Sequence, residues 1–253
     1  MEGRPEQAID TFKRLSDQTS WPLADDARLA LALAYLNHQE PEQAQQQLQQ
    51  LRKHRRGTAL AARAAYYLAL AAFEAGEPEE ARRLCREAIA GSAGSEEAVD
   101  ARIFLAQLDA ARLPLTEIIE GLRAAYQAPA TPIRHRPKLA KLLGDLSRQR
   151  LDYRGAIRWY ESAAESPSLR AEAGYRIASC FEEAGDLEVA IVRYRSLTDL
   201  PWSVRGQLAA AKLLERLQRW DQAASVYETL AAQPVPEAKV AQDALVRLRD
   251  STE

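Results

Sequence analysis

The sequence predicts an all-α fold, a solenoid of antiparallel helical hairpins, on three observations. Alanine supplies 48 of the 253 residues and leucine 33, against 17 for valine and isoleucine together. Alanine and leucine lead the helix-propensity scale, whereas β-branched residues carry most strand signal. One small-then-large pattern recurs along the whole chain, and breaker turns punctuate it at matching intervals. This excludes most sheet-based enzymes, including dinucleotide-binding and barrel folds. Glycine is scarce, at 11 residues, so phosphate-cradling loops have little material.

The pattern is a small residue, an alanine-like residue twelve positions on, and a large residue four positions later. A leading helix, Pro5 to about Ser16, carries only its second half, Ala8–Phe12–Leu15. Six hairpins follow, from Asp25 to about Gln233: Ala32–Ala44–Leu48, Ala69–Ala81–Cys85, Ala106–Ile118–Leu122, Gly144–Ala156–Tyr160, Ala178–Ala190–Tyr194 and Ala211–Ala223–Tyr227. The middle members are spaced by 37, 37, 38, 34 and 33 residues. Breakers separate the two helices of a pair: His38-Gln39-Glu40-Pro41, Ala75-Gly76-Glu77-Pro78 and Ala184-Gly185-Asp186. Glycine there adopts a left-handed cap and proline opens the next helix. The third copy departs most, with Leu113-Pro114-Leu115 at its turn and Ile118 at the alanine position. A terminal helix spans Pro236 to about Asp250. The expected organisation is one solenoid over 1–253: a half repeat at 1–20, repeats 1–3 at 25–128, a proline-rich bend at 129–137, repeats 4–6 at 137–235 and a terminal helix at 236–250. Paired methyl-sized residues let two helices approach to about 8 Å, and a single hairpin leaves one face uncovered, so units must stack.

The clearest copy runs from Ala171 to Leu197, with Ile177, Ala178, Phe181, Gly185, Ala190, Tyr194 and Leu197 in phase. The copy ending Arg154-Gly155-Ala156-Ile157-Arg158-Trp159-Tyr160 is nearly as good. Together they resemble the tetratricopeptide repeat. That resemblance implies a right-handed superhelix, with the first helix of each hairpin lining a concave groove that binds another protein. The longer spacing of the first half resembles the looser repeats of bacterial envelope proteins: outer-membrane assembly lipoproteins, Tol–Pal-associated periplasmic proteins and polysaccharide exporters. It implies a lean toward the periplasm or cell envelope. The excess of arginine (28) over lysine (6), with the alanine, points to a GC-rich bacterial genome. Because the first copy lacks its partner helix, the chain is expected to be a section of a longer repeat protein. The absence of an apolar stretch in Met1-Glu2-Gly3-Arg4 then says nothing of compartment.

Lys+Arg is 34 and Asp+Glu 36, a net charge of −2 that offers no global drive toward nucleic acid. The longest stretch free of strongly polar side chains, Ala64 to Phe73, is ten residues and too short to span a bilayer. His38, His54 and His135 fall in or beside turns without metal-ligand spacing and read as solvated. Cys85 and Cys180 read as buried apolar residues three hairpins apart, beyond disulfide reach. No phosphate-loop, nucleophile-elbow or HExxH motif occurs. The expectation is no enzyme, no cofactor and no metal. Two basic clusters, Arg52-Lys53-His54-Arg55-Arg56 and Arg134-His135-Arg136 with Lys138, read as charges at helix C-termini or as solvated turns.

Projecting the repeat phase onto the family's concave groove selects an apolar first half: Leu29, Leu33, Leu36, Tyr66, Tyr67, Leu70, Phe73, Ile103 and Phe104. The second half is polar and mixed in sign: Lys138, Lys141, Asp145, Arg148, Tyr175, Arg176, Glu182, Arg205, Lys212 and Arg216. The expected role is a protein-interaction scaffold for an apolar or an acidic segment of a partner. Alternatives are a structural spacer in an envelope machine and a regulatory region of an enzyme encoded outside 1–253. The family's clamp for chaperone tails needs lysine and asparagine four apart. Lys141 is followed by Asp145, so that clamp is not expected. Each terminal helix leaves one side open, which predicts fraying at 1–16 and self-association there.

Overall fold

The computed structural model describes residues 5–18, 22–55 and 57–250. Arg56 of the first basic cluster, and residues 1–4 and 19–20 of the leading half repeat, lie outside these. Among the described residues there are fourteen α-helices and no strand. They are α1 (Pro5–Ser16), α2 (Ala24–Asn37), α3 (Pro41–His54), α4 (Ala59–Glu74), α5 (Pro78–Gly91), α6 (Glu96–Asp109), α7 (Leu115–Gln127), α8 (Arg136–Gln149), α9 (Tyr153–Ala163), α10 (Pro167–Ala184), α11 (Leu187–Arg195), α12 (Trp202–Arg216), α13 (Trp220–Ala231) and α14 (Ala238–Asp250). The class is the expected one, all-α hairpins of solenoid type, as six helix pairs with one helix before and one after. None of the helices is long and apolar enough to cross a membrane.

The chain divides into two compact units, Met1–His135 and Arg136–Glu253. In the first, each of α1 to α6 packs on the next, and α4 also touches α2 and α6. Its core is alanine-rich: Ala32, Ala44, Ala64, Ala65, Ala69 and Ala81 are fully buried, with Leu48, Leu51 and Cys85 between them. The α6–α7 pair is the exception. These two helices touch far less than the partners of any other hairpin. Ile118, buried at 7% exposure, stands where alanine closes the other seams.

In the second unit α8 to α14 pack in the same serial way. Ala178 and Ala190 are fully buried against each other's helices, as are Ala211 and Ala223. At Gly144 a Cβ would lie 2.6 Å from the ring of Tyr160, so only glycine permits that approach. The large fully buried side chains are Tyr160, Tyr194 and Tyr227, one per hairpin.

Local signals set the helix boundaries. Thr58, Ser95 and Asp152 cap α4, α6 and α9 through side-chain bonds to the amides of Ala61, Ala98 and Gly155. Proline opens α3, α5 and α10. Two expectations need correction. His135 is buried, at 7% exposure, in the 3-10 turn Ile133–His135 that leads into α8, where Arg134 Nε donates to its Nε2 at 3.1 Å. The second basic cluster therefore precedes and opens α8, at the positive end of the helix dipole rather than the negative one. The first cluster behaves as expected: Arg52, Lys53 and His54 fill the last turn of α3.

Candidate functional site

In the first unit, α2, α4 and α6 are the first helices of successive hairpins. The 37-residue register places Leu33 and Leu70 at equivalent positions, Leu36 with Phe73, and Tyr67 with Phe104. The side of α4 that packs inward is Ala61, Ala62, Ala64, Ala65, Leu68, Ala69 and Ala72, all buried. Tyr66, Leu70 and Phe73 follow at i, i+4 and i+7, with Tyr67 beside them. Tyr66, Tyr67 and Phe104 each pack partly against this core, whereas Leu70 and Phe73 lie outside it. Leu33, Tyr66, Tyr67, Leu70 and Phe104 are half-buried, and Phe73 is 50% exposed. Phe73 and Phe104 meet edge to face, with centroids 5.5 Å apart, across the α4–α6 seam. Tyr66 and Tyr67 are tilted at 5.3 Å. Burial, and then the negative charge of Glu97, pushes the Tyr67 phenol up. Arg63 binds Glu97 at 2.6 Å and forms a charged rim. Leu29 is a core residue, 3% exposed, because it faces α4 rather than the open side.

In the second unit the candidate cations are brought together with carboxylates. Lys141 Nζ lies 2.7 Å from Glu172, and Arg176 reaches both Glu172 and Asp145 at 2.9 Å. Although burial opposes it, the two cations hold the Glu172 carboxyl below its usual range. Arg148 bonds Glu183 at 2.8 Å, and Arg216 approaches Glu182 at 3.4 Å. Tyr175 is stacked between Tyr194 (5.1 Å) and Trp202 (5.3 Å), and Arg205 lies over Trp202 at 4.9 Å. Lys212 is exposed.

Sequence reasoning missed a polar residue that the fold uses. Arg82 is 6% exposed and ties α5 to the end of α6 through Asp109 at 2.9 Å and the Leu108 carbonyl. Its only sequence signal is an arginine beside a seam alanine. Cys85 and Cys180 are buried and free. Burial raises the Cys85 thiol to about 11 and the Cys180 thiol to about 12, so neither is a nucleophile at neutral pH.

A chain of stacked hairpins, small at the seam and large beside it, is a helical repeat protein. The tetratricopeptide-repeat family matches residues 2–42, 29–96 and 141–197, and a second form of the same repeat matches 208–239. The chain belongs to that family, whose repeats serve in general as scaffolds for protein–protein interaction. No curated protein matches it. Among solved structures it is similar to pilF of Pseudomonas aeruginosa, at 19% identity and TM-score 0.59, over 92% of this chain and 99% of that one. It is similar to the C-terminal part of a TPR repeat-containing protein of Cytophaga hutchinsonii, at 14% identity and TM-score 0.65, over 95% and 94%. It also resembles a chain of the APC/C hetero-tetramer Cut9–Hcn1, at 18% identity and TM-score 0.59, over 97% of this chain and 46% of that one. These likenesses concern the fold.

Proposed function

We propose that this chain is a non-catalytic scaffold that binds an apolar peptide or helix of a partner protein on the open face of α2, α4 and α6. The observation that carries this is the Phe73–Phe104 pair. A half-exposed aromatic ring held in fixed geometry by a second ring is an anchor that loses little conformational entropy on binding. Leu33, Leu70, Tyr66 and Tyr67 extend it into one strip, and Arg63–Glu97 edges it. An apolar strip rimmed by charge suits the apolar face of a helix or peptide.

The cations of the second unit favour an acidic partner less. Lys141, Arg148, Arg176 and Arg216 already have carboxylates within 4 Å. An incoming acidic segment would have to displace them, and exchanging one exposed ion pair for another is worth little. The test is affinity capture with this chain as bait. Phe73→Ala with Tyr67→Ala removes two anchors and is expected to weaken capture by about tenfold or more. Lys141→Ala with Arg148→Ala is expected to change it little. Equal recovery of every partner by wild type and the aromatic variant would remove this face as the site.

A further inference from the structure

The third hairpin differs from the second in a way that the shared 37-residue register makes explicit. In α4 the seam positions are Ala65, Leu68, Ala69 and Ala72, and all are buried. Their counterparts in α6 are Arg102, Leu105, Ala106 and Asp109. In α5 the seam carries Leu84, 3% exposed, and its counterpart in α7 is Gly121. A Cβ placed on Gly121 meets nothing within 4 Å. With glycine where the second hairpin has leucine, a cleft of about 340 Å³ is left between α5, α6 and α7, lined also by Ile118. That volume lies at the lower end of ligand pockets, which begin at about 300 Å³.

The cleft has apolar walls, Leu105, Ala106, Ile118 and Leu122, and its ends are chemically unequal. At the α7 C-terminal end stands Arg102. Its Nη1 donates to the Ala93 carbonyl at 3.1 Å, and no carboxylate pairs with it among the described residues. Burial alone perturbs this guanidinium, and it does so against the charged form. At the other end Asp109 is already neutralised by Arg82, and Glu117 is exposed at the mouth. A half-buried arginine without a counter-charge beside an empty apolar slot is complementary to a carboxylate that carries an apolar body. A helix, about 10 Å across with its side chains, does not enter a space of this size. A single alkyl chain does.

We propose that the cleft between α6 and α7 binds an amphiphilic monocarboxylate, with its chain along Leu105, Ile118 and Leu122 and its carboxylate on Arg102. The probe is decanoate below its micellar threshold, titrated calorimetrically into the whole chain, with decanol as the neutral comparison. Saturable decanoate binding is expected, about tenfold tighter than decanol. Arg102→Gln should erase that difference and leave decanol binding intact, which also shows that the cleft survives. Gly121→Leu should restore the missing side chain, abolish binding of both probes and keep or raise the melting temperature. Phe73→Ala should leave decanoate unaffected, which separates this site from the aromatic face. Absence of saturable binding, undiminished binding to Gly121→Leu, or equal decanoate affinity in Arg102→Gln would each overturn the proposal.

Discussion

Tyr160, Tyr194 and Tyr227 occupy the same position in successive hairpins, four residues past the seam alanine. Each donates its phenol to a carboxylate on the first helix of its own hairpin: Tyr160 to Asp145 at 2.7 Å, Tyr194 to Glu182 at 2.9 Å and Tyr227 to Glu215. Arg176 and Arg216, from the next first helix, reach Asp145 and Glu182 in turn. The ring fills the core while the hydroxyl reaches the polar edge, so one residue serves packing and inter-helix registry. Tyr160→Phe keeps the ring and removes the bond, and is expected to cost about 1 kcal/mol in chemical denaturation. Burial first, and then the carboxylate hydrogen bond, raise all three phenols well above the ordinary range. A folded-state value above the unfolded one means the stabilisation is complete below the unfolded phenol value, about 10, and is lost as pH rises beyond it. Stability should therefore fall steeply above about pH 10. The triple Tyr→Phe variant should be weaker at neutral pH but flatter in that window, as read from midpoints at pH 8 to 11. An equally steep alkaline fall in the triple variant would exclude these tyrosines as its cause.

At the scale of the element, the turn inside five of the six hairpins follows one rule with different residues. The left-handed position is glycine in two hairpins, Gly76 (φ 79) and Gly185 (φ 90). In three others it is Gln39 (φ 62), Leu151 (φ 63) and Gln218 (φ 60). Left-handed backbone costs a residue with a Cβ about 1–2 kcal/mol, which is partly offset because glycine orders at a greater entropic cost. Leu151 is 70% exposed, so its side chain contributes little packing. Leu151→Gly is expected to stabilise the chain by about 0.5–1 kcal/mol, and a lower denaturation midpoint would contradict the assignment. The third hairpin has no left-handed residue at its turn. Its Leu113-Pro114 connection enters α7 with Pro114 in the N-cap position and no side-chain cap bond. The weak α6–α7 seam and the unusual turn are two aspects of one departure from the repeat.

On the scale of the whole molecule, a solenoid holds each helix only through its neighbours, so local stability follows local contact. Among the described residues α1 packs chiefly on α2 and α14 on α13, and α7 has only slight contact with α6. By contrast α4 and α5 make the most extensive helix pair among the described residues. Hydrogen exchange should therefore be fastest in α1, α7 and α14 and slowest in α4 and α5. A profile with α7 as protected as α5 would refute this reading of the third hairpin, and strongest protection over residues 5–16 would refute it for α1. Opening at α7 would also govern access to the adjacent cleft, so decanoate should slow exchange in α7 before it affects α1.

The helices, their hairpin pairing and the seam alanines were legible in the amino-acid order, because a helical period and its breakers depend on side chains a few residues apart. Ala178 and Ala190, twelve residues apart, announce a close approach without any knowledge of the rest of the chain. The candidate aromatic strip was partly legible for the same reason, since Leu33, Leu70 and Phe73 follow the repeat phase. Tertiary packing alone decided the partners. Phe73 and Phe104 are 31 residues apart, and nothing local says that their rings meet. Lys141, Arg148 and Arg176 read as available cations until the neighbouring helix supplied Glu172, Glu183 and Asp145. His135 read as solvated until the turn before α8 enclosed it. The cleft at Gly121 is likewise a missing contact between two helices, and a missing contact has no sequence signal until the register of both helices is known. Charge pairing and empty volume belong to surfaces in apposition, and only the folded chain brings those surfaces together.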